Sequence, residues 1–120
     1  MRQVFTALAA PGQPLDMEEL ARIGGMAWDR GTNPAGFARQ LAAIMASGSR
    51  RKALRRVTVP TLVVHGAADP LIPVSAGKAT ARAVPNSRLE VIEGMGHVMG
   101  MVHFRRVADL IDEHARGKSQ

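Results

Sequence analysis

The fold of this chain is decided by residues 59–70, which read VPTLVVHGAADP. From Thr61 to His65 the run is continuously apolar instead of alternating, which is typical of a parallel strand that is buried on both faces. Pro70 disfavours helical geometry at Asp69, so we expect Asp69 in the loop that follows the strand. The stretch therefore predicts a buried strand that presents a carboxylate at its carboxyl end.

A second strand of the same kind lies downstream. Residues 88–93, RLEVIE, predict this strand, and the GMGH sequence of residues 94–97 predicts a tight glycine turn that presents His97. Between the two strands, a helix is predicted to begin at Pro73 and Val74 and to end near Val84, before Pro85. A strand, a helix and a strand in this order predict a parallel βαβ unit with a right-handed crossover.

The two strands bring Asp69 and His97 to one edge of the sheet. Parallel strands end on the same side, where catalytic groups gather in open α/β sheets. We expect Asp69 to accept a hydrogen bond from one imidazole nitrogen of His97 and to fix its tautomer. The other nitrogen is then free to act as a general base and afterwards as a general acid. The alternative is an ordinary loop aspartate beside an ordinary loop histidine.

The first part of the chain, residues 1 to about 57, is predicted to be helical. Asp16 and Glu19 have the spacing of a capping box, and Gly24-Gly25 is expected to weaken or end the helix that they begin. Asn33-Pro34 predicts the start of another helix. Its apolar face is expected to contain Phe37, Leu41, Ile44 and Met45.

The last helix is predicted from Phe104, Val107, Ala108 and Ile111, which fall at helical spacing. Two strands that are apolar on both faces need helices on each side and further strands alongside. The chain supplies one βαβ unit. We therefore expect it to be the C-terminal part of a larger fold.

Composition narrows the function classes. The chain has 120 residues, of which 46% are hydrophobic, and it contains no cysteine, so disulfides and thiolate chemistry are excluded. The net charge is +6, and residues 50–56, RRKALRR, concentrate part of it. No aromatic residue interleaves this stretch, so we expect a solvated helix face with Leu54 and Val57 inward, and no nucleic-acid partner.

The sequence does not favour membrane insertion, secretion or metal binding. No apolar run approaches the length of a membrane span. The apolar residues 4–10 are at the short limit for a signal peptide and are better explained as a helix that ends at Pro11-Gly12, so we expect a cytoplasmic protein. His65, His103 and His97 with Asp69 could in principle bind zinc, but the spacing of a helical zinc motif is absent, so no metal or cofactor is expected. His65 is expected to hydrogen-bond locally, and His103 and His114 to be solvated.

Taken together, residues 59–66, Asp69, Pro73 and residues 94–97 resemble the C-terminal end of the α/β-hydrolases in order and spacing. Residues 28–40 are similar to the end of the helical cap that some of these enzymes carry. The resemblance implies residues 1–57 as a helical cap-like segment and residues 58–120 as the C-terminal βαβα part of the core. It also implies Asp69 as the acid and His97 as the base of a Ser-His-Asp triad that hydrolyses esters through an acyl-serine without a cofactor.

The nucleophile of that triad is missing from the sequence. None of the serines in the sequence lies in the nucleophile-elbow motif G-x-S-x-G. The serines are Ser47, Ser49, Ser75, Ser87 and Ser119. In the family, the nucleophile and the oxyanion donors would precede Met1. We therefore expect a fragment that is inactive alone and that acts on a small ester-like substrate only when an N-terminal half completes it. The alternative is a non-catalytic remnant or interaction module that self-associates, for example as a homodimer.

Overall fold

The computed structural model describes residues 2–31 and 33–117. Met1, Ser119 and the rest of the sequence after Gly117 lie outside them. The elements in chain order are α1 (Arg2–Leu8), α2 (Met17–Asp29), α3 (Pro34–Ser47), α4 (Arg51–Leu54), β1 (Thr61–Gly66), α5 (Val74–Ala83), β2 (Ser87–Ile92) and α6 (Met101–Ala115). Among these residues, no helix is both long enough and apolar enough to cross a bilayer.

The predicted parallel βαβ unit is confirmed. Strands β1 and β2 pair in parallel, in a register that runs from Thr61 opposite Ser87 to Gly66 opposite Ile92. Helix α5 forms the crossover and contacts both strands. Since the two strands run the same way and are in register, the loops that follow Gly66 and Ile92 leave the sheet side by side. The edge that the sequence predicts to carry the chemistry is therefore formed by these two loops.

A small core holds the sheet against α6. Ile92, Met95 and Leu110 are its buried members, and Leu110 is completely inaccessible to solvent. The side chains that pack around them are half-buried, namely Leu62, Val64 and Val107. Met95 lies in the loop after β2, so this loop is anchored in the core immediately before His97.

The buried face of α6 differs from the predicted one. Phe104, Ala108 and Ile111 are exposed, and only Val107 of the predicted set contacts the core. The inward positions instead follow the spacing 103, 107, 110 and 114. His103 and His114 were expected to be solvated, but each is half-buried, with Nε2 of His103 3.2 Å from the Gly94 carbonyl and Nε2 of His114 3.3 Å from the Pro60 carbonyl. One ring nitrogen of each histidine is hydrogen-bonded to a backbone carbonyl, so these polar side chains can occupy the inward face. Hydrophobicity alone would place the neighbouring apolar residues there.

The helix starts agree with the sequence in part. The Asp16 carboxylate accepts hydrogen bonds from the backbone N–H groups of Glu18 and Glu19, as an N-cap should. Glu19, however, pairs with Arg22 at 2.6 Å, so the reciprocal half of the predicted capping box is not used. Helix α2 continues through Gly24-Gly25 to Asp29, because Gly24 is buried and a helical glycine costs only about 1 kcal/mol.

The other N-terminal features follow the prediction more closely. The backbone N–H of Ala35 donates to the Asn33 side chain at the start of α3. In the basic stretch, Leu54 and Val57 are half-buried among exposed charged residues. Residues 2–8 form α1, which ends before Pro11-Gly12 as expected from the helix interpretation.

A large apolar surface is left uncovered by the described elements. Phe37 is 78% exposed and Met45 is 76% exposed, so the predicted apolar face of α3 points to solvent. The accessible surface of the chain is 8990 Å², whereas a compact monomer of this mass exposes about 6,300 Å². The described sheet has two strands, and both of its outer edges are unpaired. The chain therefore presents the kind of surface that further elements of a sheet would cover.

Candidate active site

Asp69 is held rigidly by the loop that follows β1. Its Oδ1 accepts hydrogen bonds from the backbone N–H groups of Leu71 and Ile72, each at 2.8 Å. Its side chain is only 7% exposed. An aspartate that hydrogen-bonds the two residues after Pro70 forms an Asx turn, which is the turn that this loop sequence favours. One carboxylate oxygen is thereby occupied, and Oδ2 is directed to another partner.

The partner of Oδ2 is His97. Nδ1 of His97 lies 2.9 Å from Oδ2, although 28 positions separate the residues in sequence. Parallel pairing of β1 and β2 produces this approach, since each residue follows its own strand by a few positions. The structure thus brings together the two residues that the sequence predicts for the site. Their catalytic roles remain a prediction.

The protonation state of the pair follows from the surroundings of Asp69. Burial of the carboxyl raises its pKa, but the N–H of Ile72, the imidazole of His97 and the N–H of Leu71 stabilise the carboxylate and together outweigh burial. The pKa of Asp69 therefore lies below its ordinary value. A carboxylate has no proton to donate, so Nδ1 of His97 is the donor, and in the neutral imidazole Nε2 then carries the lone pair.

The free nitrogen of His97 is accessible. The imidazole side chain is 38% exposed, and Nε2 has no hydrogen-bond partner among the described residues. A neutral imidazole with Nδ1 donating to a carboxylate and Nε2 open is competent to take a proton from a hydroxyl group. The geometry thus fits a general base.

His65 supports the aspartate loop from behind. Its Nε2 lies 2.9 Å from the carbonyl of Ile72, which only accepts, so Nε2 carries the proton. The same nitrogen is 3.9 Å from Oδ2 of Asp69, which is too long for a hydrogen bond. Helix α5 lies against the ring, where a Cβ on Gly77 would come within 2.9 Å of Nδ1. His65 is therefore locally bonded at the strand end, as its sequence position suggested.

The aspartate and histidine loops touch at Gly66. A Cβ at this position would overlap the backbone carbonyls of Met95 and Gly96, so only glycine allows this approach. The N–H of Ala68 donates to the Met95 carbonyl at 3.1 Å. The distance between Asp69 and His97 is thus set by direct backbone contact between their loops.

Residues 8–13 hold the His97 loop from its other side, and sequence reasoning missed this contact. We call them the 8–13 turn. The Leu8 carbonyl accepts from the N–H of His97 at 2.7 Å and from that of Val98 at 3.1 Å. The Gln13 side chain accepts from Gly96 N–H at 3.1 Å and donates to the Val98 carbonyl at 2.8 Å. No local signal marks Gln13, because its partners lie 83 and 85 positions away.

An apolar cleft of about 290 Å³ opens beside the same loop. Val98 and Met99 contribute to it from the His97 loop, Met101 and Phe104 from the start of α6, and Phe5, Leu15, Leu20 and Ile23 from the N-terminal helices and the segment between them. Met95, which precedes Val98 and Met99 in the same loop, is buried in the core and does not line the cleft. Among the described residues, no three His, Asp or Glu side chains come together as metal ligands would.

Comparisons with known proteins agree on one family. The family model of the alpha/beta hydrolase fold matches residues 5–104. A pimeloyl-[acyl-carrier protein] methyl ester esterase of Aromatoleum aromaticum is 34% identical over 74 residues, which cover 62% of this chain and 30% of that protein. A non-heme chloroperoxidase of Kitasatospora aureofaciens is 44% identical over 50 residues, which cover 41% of this chain and 18% of that protein.

A solved structure gives the same result. The crystal structure of a bromoperoxidase from Bacillus anthracis is 31% identical with a TM-score of 0.51, and the match covers 55% of this chain and 24% of that chain. This chain therefore spans less than a third of the length of each of these similar proteins. With the family model matching most of its residues, the chain belongs to the alpha/beta hydrolase fold family.

Proposed function

We propose that this chain supplies the acid and the base of a Ser-His-Asp ester hydrolase, and that it is inactive until a segment with the nucleophilic serine completes it. One observation carries the proposal, namely the 2.9 Å contact between Oδ2 of Asp69 and Nδ1 of His97 at the carboxyl ends of paired parallel strands. In α/β-hydrolases, the triad follows the chain order Ser, Asp or Glu, His. Asp69 and His97 stand in the last two places of that order.

The proposed mechanism follows from the bonding of the imidazole. Asp69 holds Nδ1, so Nε2 of His97 takes the proton from the serine hydroxyl as the oxygen attacks the ester carbonyl. The same nitrogen then gives the proton to the departing alcohol. In the second half of the reaction, Nε2 takes a proton from water as the water oxygen attacks the acyl-serine, and it then returns the proton to the serine oxygen. Throughout, the Asp69 carboxylate stabilises the imidazolium, and the N–H groups of Leu71 and Ile72 hold the carboxylate in place.

The cleft beside the His97 loop supports esters with an apolar acyl or alcohol group. Its lining is dominated by methionine, leucine, isoleucine and phenylalanine side chains. Its volume of about 290 Å³ is at the small end of ligand pockets, which begin near 300 Å³. We therefore propose small or medium-sized esters, for which p-nitrophenyl butyrate is a suitable test substrate.

The first experiment measures the protein in its native cell. An antibody against α6 is used to isolate the product, whose mass and peptides are then determined. A species well above 12.8 kDa that carries an upstream G-x-S-x-G peptide and hydrolyses p-nitrophenyl butyrate would support the proposal. A 12.8 kDa species that hydrolyses the ester without any serine-bearing partner would contradict it.

Matched variants of the active species test the two roles. We expect Asp69→Asn to reduce kcat by about 10⁴-fold and His97→Gln to reduce it by about 10⁶-fold, because the base is lost outright in the second variant. The control for the first is Asp109→Asn, on the exposed side of α6. The control for the second is His114→Gln, at the other end of α6 from the His97 loop. Controls as inactive as the site variants would show a general folding defect.

A second candidate function is self-association without catalysis. The observation that favours it is the exposed apolar face of α3, where Phe37 and Met45 are each more than three-quarters accessible. Exposed patches of this kind mark interaction sites. Sedimentation equilibrium of the chain distinguishes the two candidates. A concentration-dependent dimer that Phe37→Ser dissociates would favour this function, whereas a monomer would exclude it.

A further inference from the structure

We infer that Gln13 is a positioning residue for His97, an inference that rests on the proposed function of the pair. The Gln13 amide spans the two neighbours of His97, because Oε1 accepts from Gly96 N–H and Nε2 donates to the Val98 carbonyl. The amide orientation is determined by these partners. A flipped amide would face its NH₂ group toward the N–H of Gly96 and its oxygen toward the Val98 carbonyl.

Closing its own turn does not account for these bonds. The 8–13 turn already has a backbone hydrogen bond from Gln13 N–H to the Ala10 carbonyl at 3.0 Å and a glycine with positive φ at Gly12. Among the described residues, the Gln13 side chain makes one local bond, which runs from Ala10 N–H to Oε1 at 3.1 Å. The other two join Gln13 to residues of the His97 loop that are 83 and 85 positions away in sequence. The side chain therefore acts mainly as a bridge between the turn and the loop.

Contact between the two segments is close enough for the bridge to set geometry. A Cβ on Gly96 would overlap the backbone at Ala9 and Ala10, so the loop and the 8–13 turn lie backbone against backbone. The Leu8 carbonyl accepts from the N–H groups of His97 and Val98. Together with the Gln13 amide, these bonds fix the peptide groups on both sides of the His97 side chain.

This backbone clamp matters because the imidazole is partly exposed and is held by one side-chain hydrogen bond to the described residues. It is 38% exposed, and Nδ1 makes the only side-chain hydrogen bond that His97 has among the described residues. If the peptides on either side move, the ring can leave the plane in which Nδ1 meets Oδ2 of Asp69. Gln13 thus acts through the backbone of the loop and touches neither the substrate nor the reacting atoms.

The test measures the His97 loop in the full chain by NMR. Gln13→Met keeps the length of the side chain and removes its hydrogen bonds, whereas Gln13→Glu keeps the acceptor and removes the donor at neutral pH. In Gln13→Met we expect hydrogen exchange of the amides at residues 96–98 to accelerate at least about fivefold, the effect of one net hydrogen bond. We also expect the low-field Nδ1–H resonance of His97 to broaden, and both readouts to change in the same direction in Gln13→Glu, where a carboxylate oxygen faces the Val98 carbonyl.

The matched control is Asn86→Ala. Asn86 also makes a long-range bond from its side-chain amide to a backbone carbonyl, that of Thr58 at 3.1 Å, but at the opposite end of the strands. We expect it to lower the melting temperature and to leave the Nδ1–H resonance unchanged. A purely structural role of Gln13 would produce the same pattern in Gln13→Met.

Each outcome decides the inference. Unchanged loop exchange and an unchanged Nδ1–H resonance in Gln13→Met would overturn it. If Gln13→Met does not fold, Gln13→Glu is used instead. The deciding quantity is then the hydrogen-exchange rate of the amides at residues 96–98 divided by that of the Val63 amide. A ratio equal to that of the unsubstituted chain overturns the inference. The proposed function requires an Nδ1–H resonance of His97 that is present in the unsubstituted chain and disappears in Asp69→Asn. If no such resonance is found, the proposed function fails instead. The Gln13 bridge is then still judged by the loop amides, whose bonds do not involve Asp69.

Discussion

Replacing Leu110 with alanine tests which face of α6 is buried. Leu110 is completely inaccessible and packs with Ile92 and Met95, whereas the next residue, Ile111, is 56% exposed. Truncating a fully buried leucine loses about 2–3 kcal/mol of transfer free energy and adds a cavity term. We therefore expect Leu110→Ala to lower the free energy of unfolding by about 3 kcal/mol or more.

The neighbouring substitution is the control. Ile111→Ala loses less than half of the corresponding burial, and the higher helix propensity of alanine returns a few tenths of a kcal/mol, so we expect a loss of about 0.5 kcal/mol or less. Urea unfolding followed by far-UV circular dichroism gives both values, provided that the m-value is unchanged. An equal or larger loss for Ile111→Ala would refute the buried face described above.

Three further predictions concern the site and the helices. Gly66→Ala should unfold the chain at a lower urea concentration and abolish the Asp69-dependent Nδ1–H resonance of His97, because the added Cβ overlaps the carbonyl of Met95. Gly25→Ala, in open space on α2, should instead raise the free energy of unfolding by about 0.5–1 kcal/mol. The lowered pKa of Asp69 stabilises the fold above its unfolded value near 4 and ceases to do so as pH falls through the lowered pKa. Melting temperature measured against pH should therefore fall less on acidification in Asp69→Asn than in the unsubstituted chain. Asp16→Ala removes the N-cap of α2 and should cost about 1 kcal/mol in urea unfolding, and no loss would mean that α2 is not part of the cooperative unit.

The strands and the meeting of Asp69 with His97 could be predicted because they follow from local patterns. A continuous apolar run that ends in a loop with Pro70 locates β1 to within a residue, and parallel pairing then fixes which loops are adjacent. The direction of the pKa shift of Asp69 could not be predicted. It depends on two backbone N–H groups that the Asx turn aims at the carboxylate.

The buried face of α6 could not be predicted because apolar residues occur on several sides of that helix. Hydrophobicity favours Phe104 and Ile111, but the packed positions include His103 and His114, whose nitrogens meet backbone carbonyls of distant segments. Gly24-Gly25 was likewise expected to weaken or end α2, and tertiary contact carries the helix through it. The role of Gln13 left no trace in local spacing for the same reason, since only the folded chain brings its partners near.

The long sequence separation of the Gln13 contacts orders the assembly of the site during folding. Joining Gln13 to Val98 closes a loop of 85 positions, against 28 for Asp69 and His97. Chain-closure entropy makes the longer loop about 1 kcal/mol more costly. We therefore expect the acid–base pair to form while the βαβ unit folds, and the N-terminal turn to dock later. We expect the contact between this turn and the His97 loop to open before the sheet unfolds.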